Sequence, residues 1–551
     1  MRLRIITPRW SPQAGPLALS DPRRATPRGP HTGDAFRDSD MPTLDRVSPS
    51  ILVGGRGNDR ATTRTPLAPP QNLGDDMIMR AHEAGALHAE GYGAAPQWLP
   101  YPSDVNALLP QLWPEGAHRD DDGHLVVGGV PASEIATEFG TPAYVVDEVE
   151  FRRRARSFVG EFAGGFATAG VGLHVYYAGK AFLCSAVARW VQEEGLGLDV
   201  CSGGELAVAQ RVGFPADRIE FHGNNKSEAE IEQALRYGVG RIVVDSLDEI
   251  DRLARVAERL GVTAPVMLRV TVGVEAHTHE FIATAHEDQK FGFSLSGGQA
   301  AKAVAETLAH PGLDLRGLHS HIGSQIFDTA GFEVAAHRLV GLHAQVARDH
   351  GLQMPEMDLG GGFGIAYTSE NTPLETGELG TRLAHIVAGE CDRAGLPVPT
   401  VSIEPGRAIA GPAGYTLYEV GTVKPVELDG GSRRTYVSVD GGMSDNARTA
   451  LYGADYSVTI ANRAGEGAPM ISRVVGKHCE SGDIVVMDEY LPTDLRPGDL
   501  LAVPGTGAYC RALSSQYNHV PRPPVVAVRN GEARVIVRRE TVEDILALDV
   551  D

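Results

Sequence analysis

From about Val171 the chain repeats one pattern: a short apolar run, a Gly-rich or polar turn, then a stretch whose apolar residues recur at helical spacing. The runs end, in order, in VYYAGK, GLDVCS, RIEFHG, RIVVDS, PVMLRV, RGLHSHIGS, EMDLGGGFG and VSIEPGR, which makes eight. Between them lie amphipathic stretches such as EAEIEQALRYG and LDEIDRLARVAERLG, which end on glycine, the residue that most easily closes a helix. Eight strands alternating with helices over roughly 250 residues predict a (β/α)8 TIM barrel, because parallel neighbours need crossover connections. An open Rossmann-like sheet is the alternative, but it does not usually take so many repeats.

The pattern changes at both ends of this region. After about residue 420, YEVGTVKPVEL, RTYVSVDGG, YSVTIANR, DIVVMDEYL, LLAVPGTGAY and ARVIVRRE alternate like strands, with Gly, Pro and Asp between them. They predict a second, mainly β domain, a β-sandwich or Greek-key barrel, completed by HLVVGGV and PAYVVD near residues 124 and 142. The first 76 residues are rich in Pro, Gly, Arg, Ser and Thr, contain no Lys, and show neither period, so disorder is expected there. They have no apolar h-region, and Asp38, Asp40 and Asp45 count against an organellar transit sequence. Met77 and Met79 are candidate translation starts. The expected division is an extension over 1–78, a segment over 79–171 contributing to the β domain, a barrel over 172–422 and a β domain over 423–551.

Composition narrows the partners. The chain has 551 residues, 42% hydrophobic and 22% charged, enough for sizeable cores. A formal charge of −21 without clustered Lys and Arg argues against nucleic acid and leaves a small molecule as the expected partner. Cys184, Cys201, Cys391, Cys479 and Cys510 are scattered and odd in number, which fits a reducing cytoplasm and neither a disulfide framework nor a zinc site. No run of eighteen apolar residues occurs, so no membrane span is expected.

In a barrel, chemistry collects at the carboxyl ends of the strands. Those ends carry Lys180, Asp199, His222, His321, Ser324, Gly360, Gly361, Gly362, Glu404 and Arg407. Alone, Lys180 reads as a surface lysine in a loop. The three glycines read as a tight turn or as bare backbone N–H groups for a phosphate, to which Ser324 and Arg407 would add a hydroxyl and a guanidinium. His321 reads as a packed histidine or as a flat ring against a planar cofactor. Glu404 against a pyridine nitrogen would keep that nitrogen protonated and the ring a better electron sink.

The motifs HVYYAGKAF, LDVCSGGEL, GLHSHIGSQI, DLGGGFGI, IEPGR, KHCESGD and PGTGAY resemble the pyridoxal-phosphate-dependent diaminopimelate decarboxylases. These are fold-type III enzymes, a group that also holds ornithine and arginine decarboxylases and alanine racemase. The resemblance runs from roughly residue 80 to the end. It implies pyridoxal 5'-phosphate as cofactor, bound through a Schiff base to Lys180 and held by His321, Ser324, Gly361, Gly362, Glu404, Pro405, Gly406, Arg407 and Tyr509. It implies decarboxylation of meso-2,6-diaminopimelate to L-lysine, with Cys479 of the neighbouring subunit of a homodimer as proton donor. Arg407, Arg448, Tyr452, Glu480 and Tyr509 are the implied substrate contacts, Arg448 and Glu480 serving the distal carboxylate and amine. Without the resemblance, Cys479 reads as a buried structural cysteine and Arg448 as half of a surface salt bridge.

Glu404 separates this chain from the racemases, which place an arginine against the ring nitrogen. His277, His279 and Glu280 have HxHE spacing, but nothing completes a metal shell, and a mobile lid is the preferred reading of that stretch. The rival readings are a decarboxylase for ornithine, arginine or carboxynorspermidine, a non-catalytic pyridoxal-phosphate carrier, and a regulator that has lost its cofactor. The carriers lack both a β domain and a counterpart of KHCES, and Lys180 and Glu404 count against the regulator.

Overall fold

The computed structural model describes residues 95–273, 290–428 and 433–550. The extension over 1–78 and the stretch with His277, His279 and Glu280 lie outside the described residues. After β1 (Ala143–Asp147), eight strands form the barrel: β2 (Leu173–Ala178), β3 (Gly197–Val200), β4 (Ile219–Phe221), β5 (Arg241–Val244), β6 (Ala264–Thr271), β7 (Leu313–His319), β8 (Glu356–Asp358) and β9 (Thr400–Ile403). Each pairs in parallel with the next, and β9 returns to β2 through Val401↔Leu173 and Ile403↔Val175, closing the ring. All eight coincide with the apolar runs read from the sequence.

The helices after β3, β4 and β5 start alike. Ser202, Ser227 and Ser246 accept the N–H of Glu205, Glu230 and Glu249, so a Ser-x-x-Glu spacing opens each helix where orphan N–H groups need an acceptor. They end on Gly213, Gly238 and Gly261, with φ of +68°, +83° and +67°. Each chain reversal thereby falls at a fixed place, and each strand end is delivered to the same rim.

Strand alternation then sorts the side chains. Leu198, Val200, Ile219, Phe221, Ile242, Val244, Leu268 and Val401 belong to the apolar core between strands and helices. The intervening positions, Asp199, Glu220, His222, Asp245, His319, Asp358, Ser402 and Glu404, are buried and polar. The barrel is therefore lined by ionisable groups below its mouth, where Val, Ile and Leu commonly fill such barrels.

The β domain is a single sheet in which β13 (Ile484–Pro492), β12 (Pro469–Val475), β11 (Arg433–Val439), β10 (Gly414–Glu427), β1, β15 (Val525–Arg529) and β16 (Glu532–Val537) lie side by side. β14 (Leu500–Pro504) also pairs with β10. PAYVVD joins this sheet as β1, antiparallel to β10 and parallel to β15. HLVVGGV does not: Leu125–Val127 and Val130–Pro131 form a separate three-stranded sheet with His118–Arg119. Both edges of β1 are already taken, so this small sheet packs its face instead, placing Leu125, Val127 and Val130 against Tyr415, Leu417 and Val526. Two strands had no clear signal. PMISRVV carries a buried Arg473 where alternation would place an apolar residue, and Val525–Arg529 follows a proline-rich turn. Among the described residues no helix is long and apolar enough to cross a membrane.

Candidate active site

Lys180 stands in a turn of 3-10 helix, Gly179–Ala181, just past β2. The small residues are required by what approaches: a Cβ on Gly179 would lie 2.9 Å from the Asp199 carbonyl, and one on Gly406 2.9 Å from Ala178 Cβ. The Tyr509 N–H donates to Ala181 O at 2.7 Å, tying the β domain to the lysine turn. Tyr509 holds φ at +67°, a conformation a tyrosine keeps only when its surroundings enforce it. Its ring lies 4.5 Å from the Arg407 guanidinium. The Lys180 side chain opens into the cavity while protein surrounds it. Desolvation disfavours its ammonium, but Asp199, Tyr509 and Glu404 outweigh it and hold the amine above the usual lysine range.

Glu404, just past β9, is 4% exposed. His319 Nε2 lies 3.0 Å and His222 Nε2 3.2 Å from its Oε1. Burial alone would raise this carboxyl, yet the two imidazoles and Lys180 hold it well below the usual carboxylate range. Burial pushes His222, His319 and His321 below the usual imidazole range. One layer deeper, Glu220 and Asp358 face Glu404, each with an oxygen within 4.8 Å of the others. Burial, followed by the charge of the neighbouring carboxyls, pushes both above the usual carboxylate range.

The cavity at the barrel mouth measures about 930 Å³. Lys180, His321, Ser324, Gly362, Glu404, Gly406, Arg407, Arg448, Tyr452 and Tyr509 line it. Gly361 and Pro405 lie behind the wall: the Gly361 N–H donates to His321 Nδ1 at 3.1 Å, and Pro405 O accepts from Ala178 N–H. Gly361 thus orients the imidazole, while Gly362 faces the cavity. Cys479 and Glu480 are exposed and do not line it. Trp98 and Tyr367 do line it and carried no signal in their local sequence. His319 was also missed, although HSH on a strand places both histidines on one face, which is the pattern that could have revealed it.

Two buried guanidiniums face this space. Arg407 donates to Tyr367 Oη and, at 2.8 Å, to Ser324 Oγ. Arg448 donates to Tyr456 Oη and lies 4.7 Å over the Tyr367 ring. Among the described residues neither forms an ion pair with a carboxylate, and a buried cation without a counter-charge calls for an anionic ligand. A phosphate fits the Ser324, Gly362 and Arg407 group. A Cβ on Gly362, at φ +106°, would stand 2.5 Å from Gly323 O, so only glycine leaves that wall open. With the Lys180 amine, the flat His321 ring and the fixed Glu404 carboxylate, the donor set fits pyridoxal phosphate.

A barrel joined to a β sheet, with a lysine, a buried glutamate and a Gly-Ser-Arg group at its mouth, is the arrangement expected of a pyridoxal-phosphate-dependent amino-acid decarboxylase. Residues 150–411 match the family model described as pyridoxal-dependent decarboxylase, pyridoxal binding domain. The chain is 55% identical over 447 residues to diaminopimelate decarboxylase of Mycobacterium tuberculosis, covering 80% of this chain and 98% of that one. It is 46% identical over 434 residues to that of Bacillus subtilis, covering 79% and 97%. The crystal structure of diaminopimelate decarboxylase from M. jannaschii in co-complex with L-lysine superposes with a TM-score of 0.73 at 29% identity, covering 80% of this chain and 99% of that one. The chain belongs to the diaminopimelate decarboxylase family.

Proposed function

We propose that this chain decarboxylates meso-2,6-diaminopimelate to L-lysine and carbon dioxide, the last step of lysine formation. The observation that carries this reading is the pair of buried guanidiniums, Arg407 and Arg448, that lie in one cavity with Lys180 and have no carboxylate partner among the described residues. One anion site serves the cofactor phosphate, and the second, Arg448, serves a distal carboxylate that ornithine and arginine lack. Lys180 would hold the cofactor aldehyde, Ser324, Gly362 and Arg407 its phosphate, Glu404 its ring nitrogen, and His321 its ring face. When bound, pyridoxal phosphate supplies the sink for the electron pair left on the α-carbon as carbon dioxide departs.

The remaining work falls to the chain. His319 and His222 hold Glu404 ionised. Arg448, Tyr452 and Tyr509 orient the substrate's far end, and Glu480 pairs its distal ammonium. Cys479 donates its thiol proton to the α-carbon, and the thiolate recovers a proton from solvent. Cys479 and Glu480 are absent from the lining of this chain's own cavity, which supports their delivery by a second copy in a homodimer with the site at its interface. Five free cysteines accord with a cytoplasmic enzyme.

The test is incubation of the loaded, full-length protein with meso-diaminopimelate, ornithine, arginine and carboxynorspermidine, measuring carbon dioxide and amine product. Lysine from meso-diaminopimelate is expected; preference for ornithine overturns the role of Arg448 while leaving that of Lys180 standing.

A further inference from the structure

Cys479 and Glu480 occupy the exposed tip of the connection between β12 and β13. The residue before them is handled differently. His478 is buried, its Nε2 lies 2.8 Å from Ser444 Oγ, and its Nδ1 lies 3.1 Å from Asn518 Oδ1. The Asn518 oxygen needs a donor, so Nδ1 carries the proton and Nε2 accepts from the Ser444 hydroxyl, leaving both ring nitrogens satisfied. The Tyr517 ring flanks the imidazole at 5.3 Å.

Asp483 fastens the other end of the tip. Its Oδ1 accepts the Met443 N–H at 2.6 Å and its Oδ2 the His478 N–H at 2.7 Å. A Cβ on Gly442 would stand 2.5 Å from Oδ1, and one on Gly476 2.3 Å from Oδ2, so the carboxylate is gripped between two bare stretches of backbone. The Lys477 N–H donates to Gly441 O at 3.0 Å, and the Ser515 N–H to Ser444 O at 2.8 Å.

The segment clamped in this way leads within a few residues to Arg448. Ser515 likewise follows the short helix after Tyr509. Both Arg448 and Tyr509 line this chain's own cavity, whereas the tip does not. One bracket therefore joins the walls of the local cavity to a tip that serves elsewhere.

We propose that His478 is a positioning residue, locking the Cys479–Glu480 tip to the Ser444 and Asn518 segments so that each chain presents its proton donor and its own substrate arginine as one rigid unit. This rests on the reading of Cys479 as a proton donor supplied to a second copy. Proton delivery needs hydrogen-bond reach, and a displacement of about 1 Å can cost roughly 100-fold in rate.

The test uses the loaded, full-length enzyme carrying His478→Leu, His478→Gln or Ser444→Ala, and reads kcat together with lysine formed per carbon dioxide released. With Cys479 out of reach of the substrate carbon, bound pyridoxal phosphate would be able to take up the proton and keep the substrate nitrogen, and the carbon skeleton would leave as an aldehyde, with its oxygen from water, in place of lysine. His478→Leu is expected to lower kcat roughly 10- to 100-fold and to bring the ratio below one, with His478→Gln, which can both donate and accept, restoring much of each.

Wild-type kcat and ratio in His478→Leu overturn the proposal, as does a lower kcat at an unchanged ratio. Should that variant fail to fold, Ser444→Ala is expected to shift the ratio in the same direction, and an unchanged ratio there overturns it equally. Cys479→Ala separates the two levels. If it behaves as wild type, the proton-donor reading falls; if it is impaired while the folded His478 and Ser444 variants are not, only the positioning role falls.

Discussion

At His319 a hydrogen bond of 3.0 Å reaches Oε1 of the buried Glu404 carboxylate. A hydrogen bond to a charged group is worth about 1.5–3 kcal/mol, so His319→Phe is expected to lower kcat roughly 10- to 100-fold under saturating cofactor. His319→Gln, which keeps a donor, should lose less, and the nitrogen NMR shift of bound, labelled cofactor should move in step. Arg448 answers a different question, because its guanidinium faces the cavity without a carboxylate among the described residues. Replacing it with Met is expected to raise KM for meso-diaminopimelate roughly 10- to 100-fold. An unchanged KM would return Arg448 to a packing role. Both residues sat in the printed order of the motifs, yet only Arg448 was legible there; the partner that gives His319 its meaning is 85 positions away.

The loops and strands that hold these groups have their own tolerances. A methyl at Gly362 meets Gly323 O and Ile326, and the φ of +106° is costly for any other residue. Gly362→Ala is expected to lose about 1–3 kcal/mol of stability, read as a lower melting temperature with and without cofactor, and to weaken cofactor retention measured by dialysis. Within the barrel, Glu220 is held well above its ordinary value of 4.5, first by burial and then by Asp358 and Glu404. Above pH 4.5 the folded chain therefore keeps a proton that the unfolded chain releases, and stability falls as pH rises until the folded value is passed. Glu220→Gln removes that decline, so the melting temperature of the variant relative to wild type should climb with pH. The strands bearing these groups were visible as apolar runs. Their inward polar positions were not recognised as one stack, because alternation says which residues share a face but not which strands lie opposite.

For the molecule as a whole, the decisive experiment is complementation. In the proposed homodimer, Lys180→Ala and Cys479→Ala chains should each be inactive alone, and co-expressed chains with different tags should regain activity only as a mixed dimer, where one site combines an intact Lys180 with an intact Cys479. No recovery in purified mixed dimers would place both residues in one chain's site. What the amino-acid order determined by itself was the periodic succession of eight strands and helices, the later change to β alternation, and the short motifs around Lys180, Ser324, Glu404 and Arg407. These are local properties, written in the spacing of apolar residues and glycines. Closure of the barrel was decided only in three dimensions, and with it the meeting of His222, His319 and Glu404, the close approach of Glu220 and Asp358, and the exclusion of Cys479 from its own chain's cavity. Such groups act through distance and burial, and neither quantity exists until strands remote in sequence lie side by side.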